Sequence, residues 1–199
     1  MIEWGCIGMN VICLGEYVRM DKRSNVITHK KDAIKMARDL YVQVFGGYPT
    51  LDEERISTNL DVVLDFLNIV AESIDFSEIL DDYSEVAGLL LKEGKSWYIY
   101  TNNENSASRQ RFTIAHELGH YYLNHISKEV ESDVIWRDKV SSYGTDEKEK
   151  SANAFAAELL MPKRLIDEMY NFGYSARQMA YKLGVSPTAI SNRLDSLGY

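Results

Sequence analysis

The sequence predicts an α+β fold, mostly helical, with a small antiparallel sheet before a central helix and a helix-turn-helix-like C-terminal segment. Three observations carry this. Apolar residues recur at helical spacing over 30–45, 56–68, 106–124 and 149–162. Between Ile69 and Thr101 the spacing gives way to short β-like runs, chiefly Val86–Leu91 and Ser96–Thr101, separated by the turn Lys92-Glu93-Gly94-Lys95. After Pro162, serine caps and glycine stops punctuate three more helical stretches.

From Lys30 to Phe45 the set Ala33, Ala37, Leu40, Tyr41 and Val44 forms one helical face, and Gly46-Gly47 with Pro49 ends it. Thr50 and Glu53 have capping-box spacing, so a second amphipathic helix is predicted through Ile56, Leu60, Val63, Leu64 and Leu67 to about Asn68. The two β-like runs read as a hairpin leading into the next helix. An edge strand just before such a helix can pair with an extended peptide through backbone hydrogen bonds, which makes Trp97, Tyr98, Ile99 and Tyr100 candidate substrate-binding residues. An ordinary sheet strand with one face in the core is an equally good reading.

The next helix is predicted from Ser106–Ser108 to about Asn124, with Ala115, Leu118 and Tyr122 as its buried stripe. It carries His116-Glu117-Leu118-Gly119-His120. Helical residues four apart differ by only about 40° in direction, so the two imidazoles project side by side and can grip one cation. H-E-x-x-H on a helix is a zinc-hydrolase signature in which the glutamate is the general base: zinc makes water acidic, and the carboxylate takes the proton as water attacks a carbonyl. Gly119 calls for a physical reason, since glycine inside a helix costs about 1 kcal/mol relative to alanine. Close approach of another backbone supplies one.

A catalytic zinc site needs a third protein ligand. On a continuing helix His125 points about 140° away from His120, so a carboxylate is sought downstream. Glu149 supplies one, at the start of the helical run that continues to Met161, and Glu147 competes for the role. Asn153, one turn after Glu149, is placed to orient an imidazole. Arg109 and Arg111 read as structural ion-pair partners; Tyr121, Tyr122 and His125 are undistinguished candidates for stabilising an oxyanion. The polar stretch 126–148, with Trp136 and Tyr143, is long enough for a lid or specificity element.

The two blocks Arg111–His120 and Ala152–Pro162 (A-N-A-F-A-A-E-L-L-M-P) resemble the ImmA/IrrE family of bacterial and phage zinc peptidases, and weaker similarity extends from about residue 30 to the end. The resemblance implies a zincin-like, gluzincin-type metallopeptidase with one Zn2+ held by His116, His120 and Glu149, the glutamate of the E-x-x-A-N element. It implies a protein substrate, a helix-turn-helix repressor of a mobile element, phage or stress response, that is cleaved or otherwise inactivated. One departure is Ser151, where family members often carry an acidic residue.

Composition narrows the alternatives. A net charge of -8 argues against broad nucleic-acid binding. The two cysteines, Cys6 and Cys13, form no disulfide framework and suit a reducing cytoplasm. Residues 1–20 are apolar, but no basic residue precedes the apolar run and Glu3 and Glu16 bracket it, so they read as a leader or extra strand and not as a signal peptide. No stretch is long enough to cross a bilayer. The predicted organisation is thus an N-terminal extension over 1–29, a peptidase core over 30–162 and a helical segment over 163–199.

In that last segment, Ser175 and Gln178 form a capping box, Gly184 marks a turn, and Ser186 with Pro187 opens a final helix. In a DNA reader, Thr188, Ser191, Asn192 and Arg193 would face the groove. Five basic and three acidic residues from Lys163 onward leave a net of +2, thin for a DNA module. Packing on the core or docking a protein is therefore favoured over DNA contact. A metal-dependent transcriptional regulator without peptidase activity is the competing function, and a phage accessory protein that acts by stoichiometric binding is the weaker third.

Overall fold

The computed structural model of the chain describes residues 26–78, 86–125, 135–136 and 147–199. The predicted extra strand within 1–20 lies outside them, as does all of 126–148 except β4 and the start of the helix at Glu147. Helix α1 (Lys30–Phe45) buries Ala33, Ala37, Leu40 and Tyr41, the stripe its spacing predicts. Helix α2 is shorter than expected, Leu60–Leu67, and the Thr50–Glu53 capping box does not form. Long-range partners take the intervening backbone instead. The Ile56 N–H donates to the Lys182 carbonyl at 3.0 Å, Lys182 Nζ donates to the Leu51 carbonyl at 2.9 Å, and the Thr58 hydroxyl donates to the Leu159 carbonyl at 2.8 Å. These bonds hold 51–58 as an irregular strap, and Asn59 caps α2 by accepting from the Asp61 N–H.

Among the described residues the sheet has four strands, β1 (Ile69–Ile74), β2 (Gly88–Glu93), β3 (Ser96–Asn102) and the short β4 (Ile135–Trp136), in the order β1-β3-β2-β4. The predicted β2–β3 hairpin is present, turning at Gly94 and Lys95. The sheet is mixed, however, and not antiparallel throughout. β1 runs parallel to β3, from Ile69 opposite Trp97 to Ile74 opposite Asn102. The connection over 75–87 is long enough to carry the chain past that position, so β2 lies outside and β3 returns between them. β1 gives little sequence signal, because only Ile69 of its six residues is buried.

This topology corrects the reading of Trp97, Tyr98, Ile99 and Tyr100 as a substrate-pairing edge. β3 is internal, and its backbone is committed to β1 on one side and β2 on the other. Its side chains alternate as a buried strand requires: Trp97 and Ile99 enter the main core, while Tyr98 and Tyr100 stack on the opposite face with centroids 6.2 Å apart. On that face Phe76, Val86 and Leu89 form a second small core.

Helix α3 (Ala107–Tyr122) lies across the sheet and packs along α4 (Glu147–Leu160), which also packs on α1. Gly88 lets β2 press onto α3, since a Cβ there would stand 2.2 Å from Thr113 Cγ2. Helices α5 (Lys163–Asn171), α6 (Ala176–Leu183) and α7 (Pro187–Leu197) follow. The Ser175–Gln178 capping box forms, and Ser186 caps α7 with Pro187 in its first turn.

One residue of the proposed groove-facing set is turned inward. Arg193 is 4% exposed; its Nη2 donates to the Glu158 carboxylate and its Nε to the Met161 carbonyl at 3.1 Å. Glu158, itself buried, also accepts from Arg38 Nε at 2.7 Å and from the Lys163 N–H at 3.2 Å. One carboxylate thus joins α1, the start of α5 and α7. Thr188, Ser191 and Asn192 remain exposed, but the arginine that would anchor them in a groove is a core residue. No helix among the described residues is long and apolar enough to cross a membrane.

Candidate metal centre

Helix α3 sets His116 and His120 one turn apart, and the first turn of α4 brings Glu149 against both. His116 Nε2 lies 3.1 Å from His120 Nε2, Glu149 Oε2 lies 3.2 Å from His116 Nε2, and Glu149 Oε1 lies 3.3 Å from His120 Nε2. The helices approach this closely because of Gly119. A Cβ there would stand 3.1 Å from both Cα and O of Ala152 on α4, the close backbone approach that the mid-helix glycine predicts. The competing carboxylate, Glu147, points away: its side chain is 64% exposed and pairs with Lys150 at 2.8 Å.

The backs of the two imidazoles are held by hydrogen bonds. His116 Nδ1 lies 3.0 Å from Asn153 Oδ1, so its N–H donates there and its Nε2 lone pair faces Glu149. His120 Nδ1 lies 3.0 Å from His125 Nδ1. His125 Nε2 lies 2.6 Å from the Ile27 carbonyl, which can only accept, so this nitrogen carries the proton. Neutral His125 therefore offers a bare Nδ1 to the Nδ1–H of His120, and His120 Nε2 too is left as a lone pair. Two bare imidazole nitrogens and a carboxylate within 3.3 Å repel one another unless a cation sits among them. The spacing suits one: a tetrahedral centre with bonds of about 2.0–2.1 Å separates its ligand atoms by about 3.3 Å. The donor set fits a metal ion, and these three residues form a metal-binding cluster among the described residues.

Glu117, 2% exposed, follows His116 directly on α3, one step around the helix from the two imidazoles.

His125 was the residue that sequence reasoning misplaced, because it assumed a continuing helix. Helix α3 ends at Tyr122, and Asn124 turns the chain with φ 57°. His125 then folds back beneath His120. Asparagine just past the end of a helix is the signal that could have shown this, since it enters the left-handed region more readily than other side chains. The oxyanion candidates are placed elsewhere. Tyr121 packs edge-on against Trp97 at 5.3 Å, and burial pushes its phenol pKa up; Tyr122 packs on Phe155 at 5.6 Å. His125 has one nitrogen on His120 and the other on Ile27. Arg111 is structural: its Nη2 donates to the Thr58 carbonyl at 2.8 Å, and burial lowers its pKa. Arg109 is exposed.

Comparison with known proteins agrees with this geometry. The family model Peptidase_M78, described as an IrrE N-terminal-like domain, matches residues 67–195. Metallopeptidase ImmA of Bacillus subtilis (strain 168) is 31% identical over 140 residues, which cover 66% of this chain and 78% of that protein. Uncharacterized immunity region protein 2 of Bacillus phage phi105 is 25% identical over 103 residues, covering 52% of this chain and 62% of that protein. With α3, the sheet before it and α4 all inside the matched region, the chain belongs to the Peptidase_M78 family and is a metallopeptidase of the ImmA/IrrE type.

Proposed function

We propose that the chain is a cytoplasmic zinc endopeptidase of narrow specificity that cleaves or inactivates a helix-turn-helix repressor of a mobile element, phage or stress response. The observation that carries this reading is the convergence of His116, His120 and Glu149 beside a buried glutamate on the same helix. Two histidines and a glutamate are a donor set of catalytic zinc sites, where one position stays open for water or substrate. Zinc there supplies Lewis-acid polarisation of the scissile carbonyl and makes water acidic enough to serve as nucleophile near neutral pH. Glu117 accepts the proton of the attacking water and returns it to the departing amine. Asn153 holds His116 in the Nδ1–H tautomer so that Nε2 stays available as a ligand.

The repressor target is supported by the relative from a phage immunity region, and the cytoplasm by the low cysteine content. Burial of Arg193 against Glu158 weighs against a DNA-binding regulator. The test is incubation of the purified, zinc-loaded chain at substoichiometric amount with each helix-turn-helix protein encoded beside its gene. The expected outcome is one defined cut in one of them, read by mass spectrometry. Disappearance of none, at equimolar protein, counts against the target; specific retention of the flanking DNA in its place favours the regulator.

A further inference from the structure

Behind the metal cluster lies a buried relay that runs away from the reaction side. His120 is 1% exposed and His125 8%, and their rings meet nearly edge to face, 4.8 Å apart at 71°. The outer end of the relay is the Ile27 carbonyl. It lies in the segment leading into α1, outside the family-matched residues 67–195, and the Ile27 N–H ties that segment to α3 by donating to the Leu123 carbonyl at 3.0 Å. The Ser151 hydroxyl, fully buried, stands 3.3 Å from His125 Nε2 and gives its own proton to the Lys148 carbonyl at 2.9 Å, so a second acceptor faces the same nitrogen. Every group facing His125 Nε2 accepts. None of them lets that nitrogen be bare.

We propose that His125 is the positioning residue for His120: held by Ile27 and Ser151, it accepts the His120 Nδ1–H, fixes that tautomer and ring orientation, and so sets the metal affinity of the site. This rests on the metal-site reading above. The physical argument is directional. A metal-binding imidazole with its far N–H on a good acceptor is the stronger and better-aimed ligand, and an imidazole acceptor is itself improved by donating onward to a carbonyl. His116 has its acceptor on the neighbouring helix, in Asn153, whereas that of His120 comes from the chain just after α3, braced by the segment before α1.

The test compares full-length wild type with His125→Asn, His125→Gln and His125→Phe. Three quantities are read: zinc affinity by competition with a chromophoric chelator, thermal midpoint of the metal-free protein, and the His120 tautomer by long-range 15N–1H correlation. Asparagine places an oxygen where Nδ1 stood and keeps the acceptor for His120; glutamine keeps the bond to Ile27 but presents carbon to His120; phenylalanine keeps only the volume. The expected result is zinc affinity within about threefold of wild type for Asn, and about 10–100-fold weaker for Gln and Phe, the range seen for lost partners behind metal ligands. The order should be absent from the metal-free thermal midpoints. His120 should hold its Nδ1 proton in wild type and Asn alone. Equal affinities for Asn and Gln, or wild-type affinity in Phe, overturn the proposal. Should the Phe variant fail to fold, the Asn and Gln pair still decides. Wild type that binds no zinc removes the metal-site reading and this inference with it, whereas wild type that binds while the variants do not differ removes only the inference.

Discussion

Glu117→Gln is expected to leave one metal per chain and to lower peptide hydrolysis by about 10²–10⁴-fold, the usual contribution of a positioned general base. Glutamine matches glutamate in size and keeps a carbonyl oxygen, so the packing of a 2% exposed residue on α3 is conserved. What it lacks is the basic oxygen that accepts a proton from water. Because Glu117 is not one of the three clustered ligand residues, metal content should not change. The measurement is turnover of a cleavable substrate beside metal content by mass spectrometry on the same sample. Retention of more than about a tenth of the activity would remove Glu117 from the base role. Loss of the metal would instead place it among the ligands.

The second large effect concerns the fold. Glu158→Ala strands the Arg193 guanidinium, 4% exposed, without its carboxylate, and is expected to destabilise the protein by about 3–5 kcal/mol, the cost of breaking a buried ion pair from one side. Arg38 adds little to that figure, because its side chain is 45% exposed and water replaces the lost partner. The paired change Glu158→Met with Arg193→Met removes both charges together. By the same reasoning it should recover most of the loss, since replacing a buried pair with apolar residues of similar volume is often neutral. Urea unfolding of the two variants measures both values. A Glu158→Ala penalty under about 1 kcal/mol would mean that α7 is not held to α4 and α1 through this carboxylate.

What the sequence made legible follows from how local each signal is. The positions of α1 and α3, the hairpin turning at Gly94, the Ser175–Gln178 box and the Ser186–Pro187 start of α7 depend on periodicity and capping within a few residues, and each was readable. Gly119 was readable too, as a local oddity that needed a neighbour; Ala152 is that neighbour. The errors came where distant residues overrule local preference. Thr50 and Glu53 have the spacing of a capping box, but Lys182, 129 residues beyond Glu53, takes the backbone of the strap. β1 pairs parallel to β3, and that choice depends on the path of residues 75–87 and not on the composition of Ile69–Ile74. This is why Trp97–Tyr100 looked like an edge and is an interior strand.

Within the site the same rule holds. His116, Glu117 and His120 are one turn of one helix and were legible from spacing. Glu149 and Asn153 lie far along the chain, and they were reached through donor counting and family resemblance. His125 was missed as a partner of His120 because its placement depends on where α3 stops, and Asn124, the residue that turns the chain there, is a weaker signal than a run of apolar residues. Arg193 was misassigned for a related reason. An arginine on a serine-capped C-terminal helix has the pattern of a groove contact, and only the tertiary position of Glu158 draws it inward.

The most direct test of the central claim is metal content of the purified full-length chain by native mass spectrometry, run beside His120→Ala. The account predicts about one zinc per chain in the wild type and none in the variant, because two ligands cannot hold the ion that three do. Equal metal in both proteins, or none in the wild type after reconstitution with zinc, would contradict it.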